Sequence, residues 1–366
     1  MKPTALHLLG TGTVGGAFLA RHAQLSANGL PLPAIASIAN SRGCQGCNEA
    51  SADQVFHALR DSVAPRDAAW LQHASFAAGD IVVDASASDA VAERHAEWLR
   101  RGAHVVTACK LGQGTTLTRW HAIRAASTAA GTGYGDGATV GAGLPLLRSL
   151  RELRAGGDRI HAIAGVLSGS LAWLFNHYDG KRPFSSFVRE ARDAGYTEPD
   201  PRDDLSGEDV RRKIVILARA AGIELEAAAV EVASLVPDAL AVLPLDRLDA
   251  ALPALDEPLR LRYAEAYRRG EALKFIARLE NGRARVGLES LPAEHPLAAG
   301  AGTDNRVAIW SDRYAVQPLV IQGPGAGAEV TAAALIDDVI AIAQRIPAFV
   351  AERASTQRRT PLAAVG

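Results

Sequence analysis

Three cysteines in 366 residues are too few for a disulfide scaffold and point to a reducing compartment. No apolar run reaches the roughly 18 to 20 residues that a membrane span needs, so no membrane partner is expected. The start, Met1-Lys2-Pro3-Thr4, runs straight into a strand-like segment with no cleavable signal visible, and a cytoplasmic protein is expected. An excess of charge is missing too: 39 Lys and Arg against 40 Asp and Glu leave a net charge of −1. The basic residues are spread rather than clustered, which removes any general attraction to nucleic acid. Repeats and low-complexity runs are absent. What remains is 48% hydrophobic and 22% charged, an ordinary soluble composition in a chain long enough for two domains.

The amino-terminal half alternates short apolar runs with helical patterns, which predicts a doubly wound parallel sheet. Ala5 to Leu9 reads as a buried strand. Gly10-Thr11-Gly12-Thr13-Val14-Gly15-Gly16 follows it, and a helix continues over Ala17 to Gln24. Strand, glycine turn, helix is the context that a dinucleotide fingerprint requires. Gly10 would allow the tight turn, Gly12 would let the backbone approach a pyrophosphate, and Gly15 would let helix and strand pack closely. The phosphates would sit at the positive end of the helix. The second strand, Ala34 to Ala39, ends in Asn40-Ser41-Arg42 and not in the acid that binds a ribose 2′-hydroxyl. Arg42 is either a partner for the 2′-phosphate of NADP or a solvated loop residue. Cys44-Gln45-Gly46-Cys47 has no matching ligand pair and reads as a loop with two incidental cysteines. Asp80 to Asp84 is a further strand with Ser86 just beyond it, and His104 to Cys109 is another, with Lys110 at its end. Lys110 therefore falls at the edge where such sheets bind ligands.

A glycine cluster over 131–137 marks a domain boundary. In Thr139-Val140-Gly141-Ala142-Gly143-Leu144-Pro145, backbone carbonyls could converge on a hard cation, or the segment is a plain interdomain turn. Ser168 caps a helix through Phe175, and further strands are expected at 160–166, 271–278, 283–288, 305–310 and 317–321. A second glycine loop, Gln322 to Gly327, precedes an apolar helix over 329–346. The tail from Arg353 reads as frayed. The most informative segment runs from Gly195 to Lys213: an acid-rich loop stiffened by Pro199 and Pro201, entering a helix near Glu208. Such a loop is suited to holding carboxylates around a small cationic ligand. Asp209 and Lys213 stand four apart on one helix face. Ser206-Gly207-Glu208-Asp209 also fits a capping box, and Glu208 with Arg212 fits an ordinary i,i+4 pair.

Taken together, GTGTVGG, VVTACK at 105–110, TVGAGLP at 139–145, LSGSL at 167–171, GYTEPDPRDDLSGEDVRRK at 195–213 and GPGAGAEVTA at 323–332 resemble homoserine dehydrogenase over almost the whole chain. The resemblance implies an α/β fold: a Rossmann-type nucleotide-binding domain over 1–135, an α+β substrate and dimerisation domain over 136–322, and a glycine loop and helix over 323–366 that return to the first domain. It implies a homodimer and a small-molecule substrate. The implied reaction is NAD(P)H-dependent reduction of L-aspartate 4-semialdehyde to L-homoserine, toward threonine and methionine. NADP is the expected cofactor, with NAD as the alternative.

By the same resemblance, Glu198 and Asp204 bind the substrate amino group, with Tyr196 in the same loop and Asp209 on the helix. Lys213 is the proton donor to the carbonyl oxygen, and Lys110 lies against the substrate. Cofactor contacts are expected from Gly10, Thr11, Gly12, Thr13, Val14, Gly15, Arg42, Ser86, Lys110 and Gly325. A monovalent cation such as Na+ would take the carbonyls of Val140, Ala142 and Leu144. Here the chain departs from the family, with Gly137 where relatives carry an acidic ligand and Asp136 beside it. Cys109 also replaces an asparagine before Lys110. With little sequence after the last helix, a monofunctional enzyme without a threonine-sensing module is expected. Two other readings stand beside this one: an oxidoreductase for another small amino-acid aldehyde, and a non-catalytic nucleotide sensor, which would not need Lys110 or Lys213.

Overall fold

Short aliphatic runs that stop at glycine or a small polar residue build two separate sheets. The computed structural model describes residues 3–67, 69–347 and 349. They fall into two units: one of Met1–Gly112, Thr118–Gly143 and the segment from Gly327 onward, the other of Gln113–Leu117 and Leu144–Ala326.

In the first unit, β1 (Ala5–Leu9), β2 (Ala34–Asn40), β3 (Gly43–Gly46), β4 (Ile81–Asp84), β5 (His104–Thr107) and β6 (Tyr134–Gly135) form one sheet. Its order is β3-β2-β1-β4-β5-β6. The pairs are parallel except β2 with β3. Strand order reverses between β1 and β4, and the crevice beyond their carboxyl ends is the expected ligand edge. Helices cover both faces, so the inner strands are largely apolar, and Ile81, Val82 and Val83 are fully buried. Phe18 of helix Thr13–Ala27 packs with Leu335 and Val339 of helix Ala328–Ala343 on one side. Trp98, Leu99 and Ile123 pack on the other.

The Cys44 to Cys47 segment, read from sequence as loop, is strand up to Gly46, with Cys47 just past it. It supplies β3, antiparallel to β2, with Ala39 opposite Cys44 and Asn40 opposite Gly43. Desolvation pushes both thiols above the ordinary cysteine range, away from thiolate reactivity.

In the second unit, β7 (Ile160–Val166), β8 (Glu231–Val232), β9 (Ala272–Glu280), β10 (Arg283–Leu291), β11 (Asp304–Ser311) and β12 (Leu319–Pro324) are ordered β12-β11-β7-β9-β10-β8. All pairs are antiparallel except β8 with β10. The ladder of β12 with β11 runs to Pro324 opposite Asp304. Gln322 and Gly323, read from sequence as loop, are therefore strand, and the loop shrinks to the residues around Gly325. The final helix spans Ala328–Ala343. The tail from Arg353 lies outside the described residues.

Helix Glu208–Ala220 packs on β9 and β10 and carries Val210, Ile214 and Leu217 into the core. Burying an aliphatic side chain of this size contributes about 1.5–3 kcal/mol, which seats the helix firmly. It starts at Gly207 in the left-handed region, with φ +78, and no side chain caps it among the described residues. The capping box is not formed: Ser206 Oγ accepts from the Glu208 N–H, not from Asp209. Glu208 pairs with Arg211 rather than with Arg212. At the far end Arg219, 2% exposed, donates to the carbonyls of Gln113, Thr115 and Leu225. Burial lowers its pKa to about 10.

Candidate active site

The turn after β1 has steric reasons for its glycines. Gly10 has φ +117, and a β-carbon there would stand 2.7 Å from the Ala85 carbonyl oxygen. A β-carbon on Gly15 would stand 2.0 Å from the Gly10 carbonyl oxygen. Gly12 differs: beyond its own chain neighbours, no described atom lies within 4 Å of the corresponding point. The protein's own packing does not demand that glycine, whereas a pyrophosphate drawn against the backbone does. Gly12 precedes helix Thr13–Ala27, whose amino end has no side-chain cap among the described residues, so its N–H groups suit an anion. A groove of about 520 Å³ opens here, lined by Thr11, Gly12, Thr13, Phe56, Arg60 and Glu329 among others. Val14 is half-buried in the helix's first turn.

At the end of β2, the Asn40 side-chain amide donates to Thr11 Oγ1 and to the Leu59 carbonyl, both at 2.9 Å. Its Oδ1 accepts from the Arg42 N–H. Arg42 Nε donates to the Ala64 carbonyl at 3.2 Å. A neutral amide thus stands where an acid would select NAD, with a cation two residues on. Arg60, which the sequence reading missed, is a cation that lines the groove. Its place could be found only by knowing that its helix ends beside the glycine turn.

Beyond β4, the Ser86 N–H and Oγ both donate to Asp84 Oδ1, at 2.9 and 2.6 Å. Asp84 is fully buried, and its Oδ2 lies 3.1 Å from both His95 Nε2 and Thr107 Oγ1. Cys109 is buried, with its thiol pushed up to about 12 by desolvation first and the Asp84 charge second. Its place beside Lys110 is therefore filled by a neutral group. Lys110 is half-buried just past β5.

The second unit gathers the acids and the helix lysine. Lys213, 8% exposed, has its Nζ 2.8 Å from Asp209 Oδ2 and donates to the Leu167 carbonyl at 2.7 Å. Asp204 accepts from Ser170 Oγ at 2.6 Å and from the Glu198 N–H at 2.9 Å. Desolvation is the largest influence on Asp204 and raises its pKa above the ordinary carboxylate value, against the pull of those two donors. Ser170, at the start of the helix that Ser168 caps, was not among the expected site residues; its contact with a carboxylate 34 positions on has no local signal. Glu198 is exposed, and Tyr196 stacks on Trp173 with centroids 5.3 Å apart. Asp200 is engaged by Arg202 at 2.6 Å, so that acid shapes the loop. Gly325 covers the side chain of Asn305, and a β-carbon there would overlap its amide.

The cation set departs from expectation at its acid. The Gly137 N–H donates to Asp338 Oδ2 at 2.8 Å, and a β-carbon at 137 would stand 3.0 Å from that oxygen. A carboxylate from 137 would thus meet a carboxylate already in place. Val140 and Ala142 are buried, with Ala142 at φ +51, and the Leu144 carbonyl accepts from the Leu146 N–H. Among the described residues, no group of three or more His, Cys, Asp or Glu could hold a metal ion. Position 137 therefore adds no carboxylate to the carbonyls of Val140, Ala142 and Leu144.

A reversed-order parallel sheet with a fingerprint turn, and a second unit in which Asp209 pairs with a buried lysine, define the class of proteins that join a dinucleotide-binding domain to a separate second domain. Comparison narrows this. The family described as homoserine dehydrogenase matches residues 145–340, and its NAD-binding domain matches 10–134. A homoserine dehydrogenase of Schizosaccharomyces pombe is 38% identical over 277 residues, covering 73% of this chain and 74% of that one. The chain belongs to the homoserine dehydrogenase family. A chloroplastic bifunctional aspartokinase/homoserine dehydrogenase of Zea mays is 43% identical over 271 residues, 73% of this chain and 30% of that protein. The chain thus spans about three-tenths of the length of that bifunctional relative. A hyperthermophilic archaeal homoserine dehydrogenase, solved with NADPH, shares the fold at a TM-score of 0.70 and 20% identity, over 94% of this chain and 98% of that one.

Proposed function

We propose that this chain interconverts L-aspartate 4-semialdehyde and L-homoserine, using NADP in preference to NAD. The observation that carries the reading is Lys213, a buried ammonium held between Asp209 and the Leu167 carbonyl on the helix that follows the acid loop. When bound, the nicotinamide supplies or takes the hydride. Hydride arriving at the aldehyde carbon leaves negative charge on oxygen, and the Lys213 ammonium stabilises that charge and donates the proton. In the reverse direction the neutral amine takes the proton back. Asp204 and Glu198 bind the substrate's α-ammonium, with Tyr196 bordering that subsite and Asp209 orienting the lysine. By family resemblance, Lys110 supplies a second ammonium to the substrate. The amino end of helix Thr13–Ala27 would hold the cofactor phosphates, with Thr11, Thr13, Val14 and Ser86 on that side, and by family resemblance Gly325 would contact the cofactor as well.

The NADP preference is supported by Asn40 in place of an acid and by Arg42 beside it. The archaeal relative's NADPH agrees in kind. The family resemblance supports a homodimer through the second unit and a place in threonine and methionine synthesis. The reducing-compartment composition supports a cytoplasmic location. The deciding experiment follows absorbance at 340 nm with L-homoserine and either NADP or NAD. Homoserine-dependent reduction, faster with NADP, is expected; binding of both cofactors with no reduction of either would remove the substrate assignment.

A further inference from the structure

Asn305 is fully buried in β11. Register places it: Arg306 pairs with Val166, so Asn305 lies level with Leu167, one residue past β7, while Gly323 of β12 faces it from the other side. Its Nδ2 donates to the Leu167 carbonyl at 3.4 Å. That carbonyl also takes the Lys213 ammonium, at 2.7 Å. Its Oδ1 has no hydrogen-bond partner among the described residues. Gly325 lies over the amide, where a β-carbon would stand 1.9 Å from Asn305 Cγ and 2.3 Å from Oδ1.

An orphan acceptor at zero exposure carries an uncompensated desolvation cost, which an apolar side chain of similar volume would not. Stability alone therefore does not call for asparagine at this position. A lysine stem has four rotatable bonds, so the place of its ammonium depends on the groups that hold it. A carbonyl held from one side can pivot with its peptide plane, and a second donor limits that pivot. We propose that Asn305 is a positioning residue for Lys213: its amide steadies the Leu167 carbonyl that anchors the ammonium, and its flat face seats Gly325, so one side chain aligns the proton donor with the glycine loop. The inference rests on the reading of Lys213 as the donor.

The test is Asn305→Leu in the full chain, assayed with L-homoserine and NADP beside the wild type. The expected variant stays folded: the orphan acceptor is gone and the Leu167 carbonyl keeps Lys213, while leucine's out-of-plane methyl presses on Gly325 and offsets part of that gain. Its kcat falls by roughly 10- to 100-fold through misplacement of the ammonium. Its KM values stay within about twofold, and the solvent deuterium isotope effect on kcat rises as proton transfer becomes limiting. Full kcat would overturn the proposal, and so would a joint fall of melting temperature and kcat with an unchanged isotope effect, which marks a structural residue. Should the leucine variant not fold, Asn305→Ser is measured in the same way: a lower kcat at constant KM supports the proposal, and an unchanged kcat overturns it. A wild type that does not turn over homoserine defeats the functional reading, and this inference with it; an active wild type with a full-rate variant defeats this inference alone.

Discussion

Replacing Lys213 by methionine removes the ammonium and keeps most of the aliphatic stem, and the structure separates its two costs. The ion pair lost is with Asp209, whose side chain is 42% exposed. Water can therefore solvate the carboxylate left behind, and a pair of this kind contributes at most about 1 kcal/mol. The Leu167 carbonyl keeps its contact with Asn305 Nδ2, so it is not stripped of partners. A stability loss of about 1 kcal/mol shifts the melting temperature by only roughly 2–4 °C. The catalytic cost is larger. Loss of a general acid removes typically ~10² to 10⁴ in rate. At 1.36 kcal/mol per decade, that is about 2.7–5.4 kcal/mol of barrier. Lys213→Met should therefore fold, bind NADPH with wild-type affinity by fluorescence titration, and reduce NADP with homoserine at least a hundredfold more slowly, by the lower bound of that range. A kcat within about threefold of wild type, with cofactor binding intact, would refute the assignment and move the role to another group, with Lys110→Met the next variant to measure.

The parts of this site that were legible in the sequence are those whose cause is local. Gly15 meets the Gly10 carbonyl of its own turn, so the fingerprint's spacing already encodes that constraint. Asp209 and Lys213 share a helix face by periodicity. What stayed hidden depends on elements far apart in the chain. Ser170 reaches Asp204 only because the loop folds back on that helix. The anchor of Lys213 is a backbone carbonyl, which has no residue type to announce it. Asn305 matters through strand register, which one sequence does not reveal. In composition Asp200 looks like any other acid of the loop, yet Arg202 holds it for structure. Two secondary-structure misreadings share one cause: β3 and the end of β12 are rich in glycine and poor in strand formers, and a neighbouring strand's hydrogen bonds overrode weak local preference.

Arg42→Ala should lower kcat/KM for NADP by about 10- to 100-fold, the equivalent of 1.5–3 kcal/mol for a hydrogen bond to a charged group, and leave NAD kinetics nearly unchanged; equal losses with both cofactors would mean that Arg42 does not read the 2′-phosphate. Asp204, whose pKa burial raises, takes up a proton at higher pH than an exposed aspartate does, so KM for homoserine should climb as the pH falls through that raised value. The sign for folding is the opposite of a salt-bridged acid's: this group's contribution to stability improves as the pH falls. Asp204→Asn should raise KM at all pH values and abolish the acidic limb, and a limb that persists would assign it elsewhere. The two fingerprint glycines should respond in opposite ways to one added methyl group. In Gly15→Ala the new carbon would stand 2.0 Å from a backbone oxygen, so the turn must shift and the variant should lose about 1–3 kcal/mol or more of stability in denaturant titration. In Gly12→Ala the carbon enters open space at an ordinary φ of −81, so folding should be untouched while NADP affinity falls, because the methyl group occupies the path of the pyrophosphate. If Gly12→Ala bound NADP normally, the phosphates would not approach the backbone there, and the open face of Gly12 would lose its explanation.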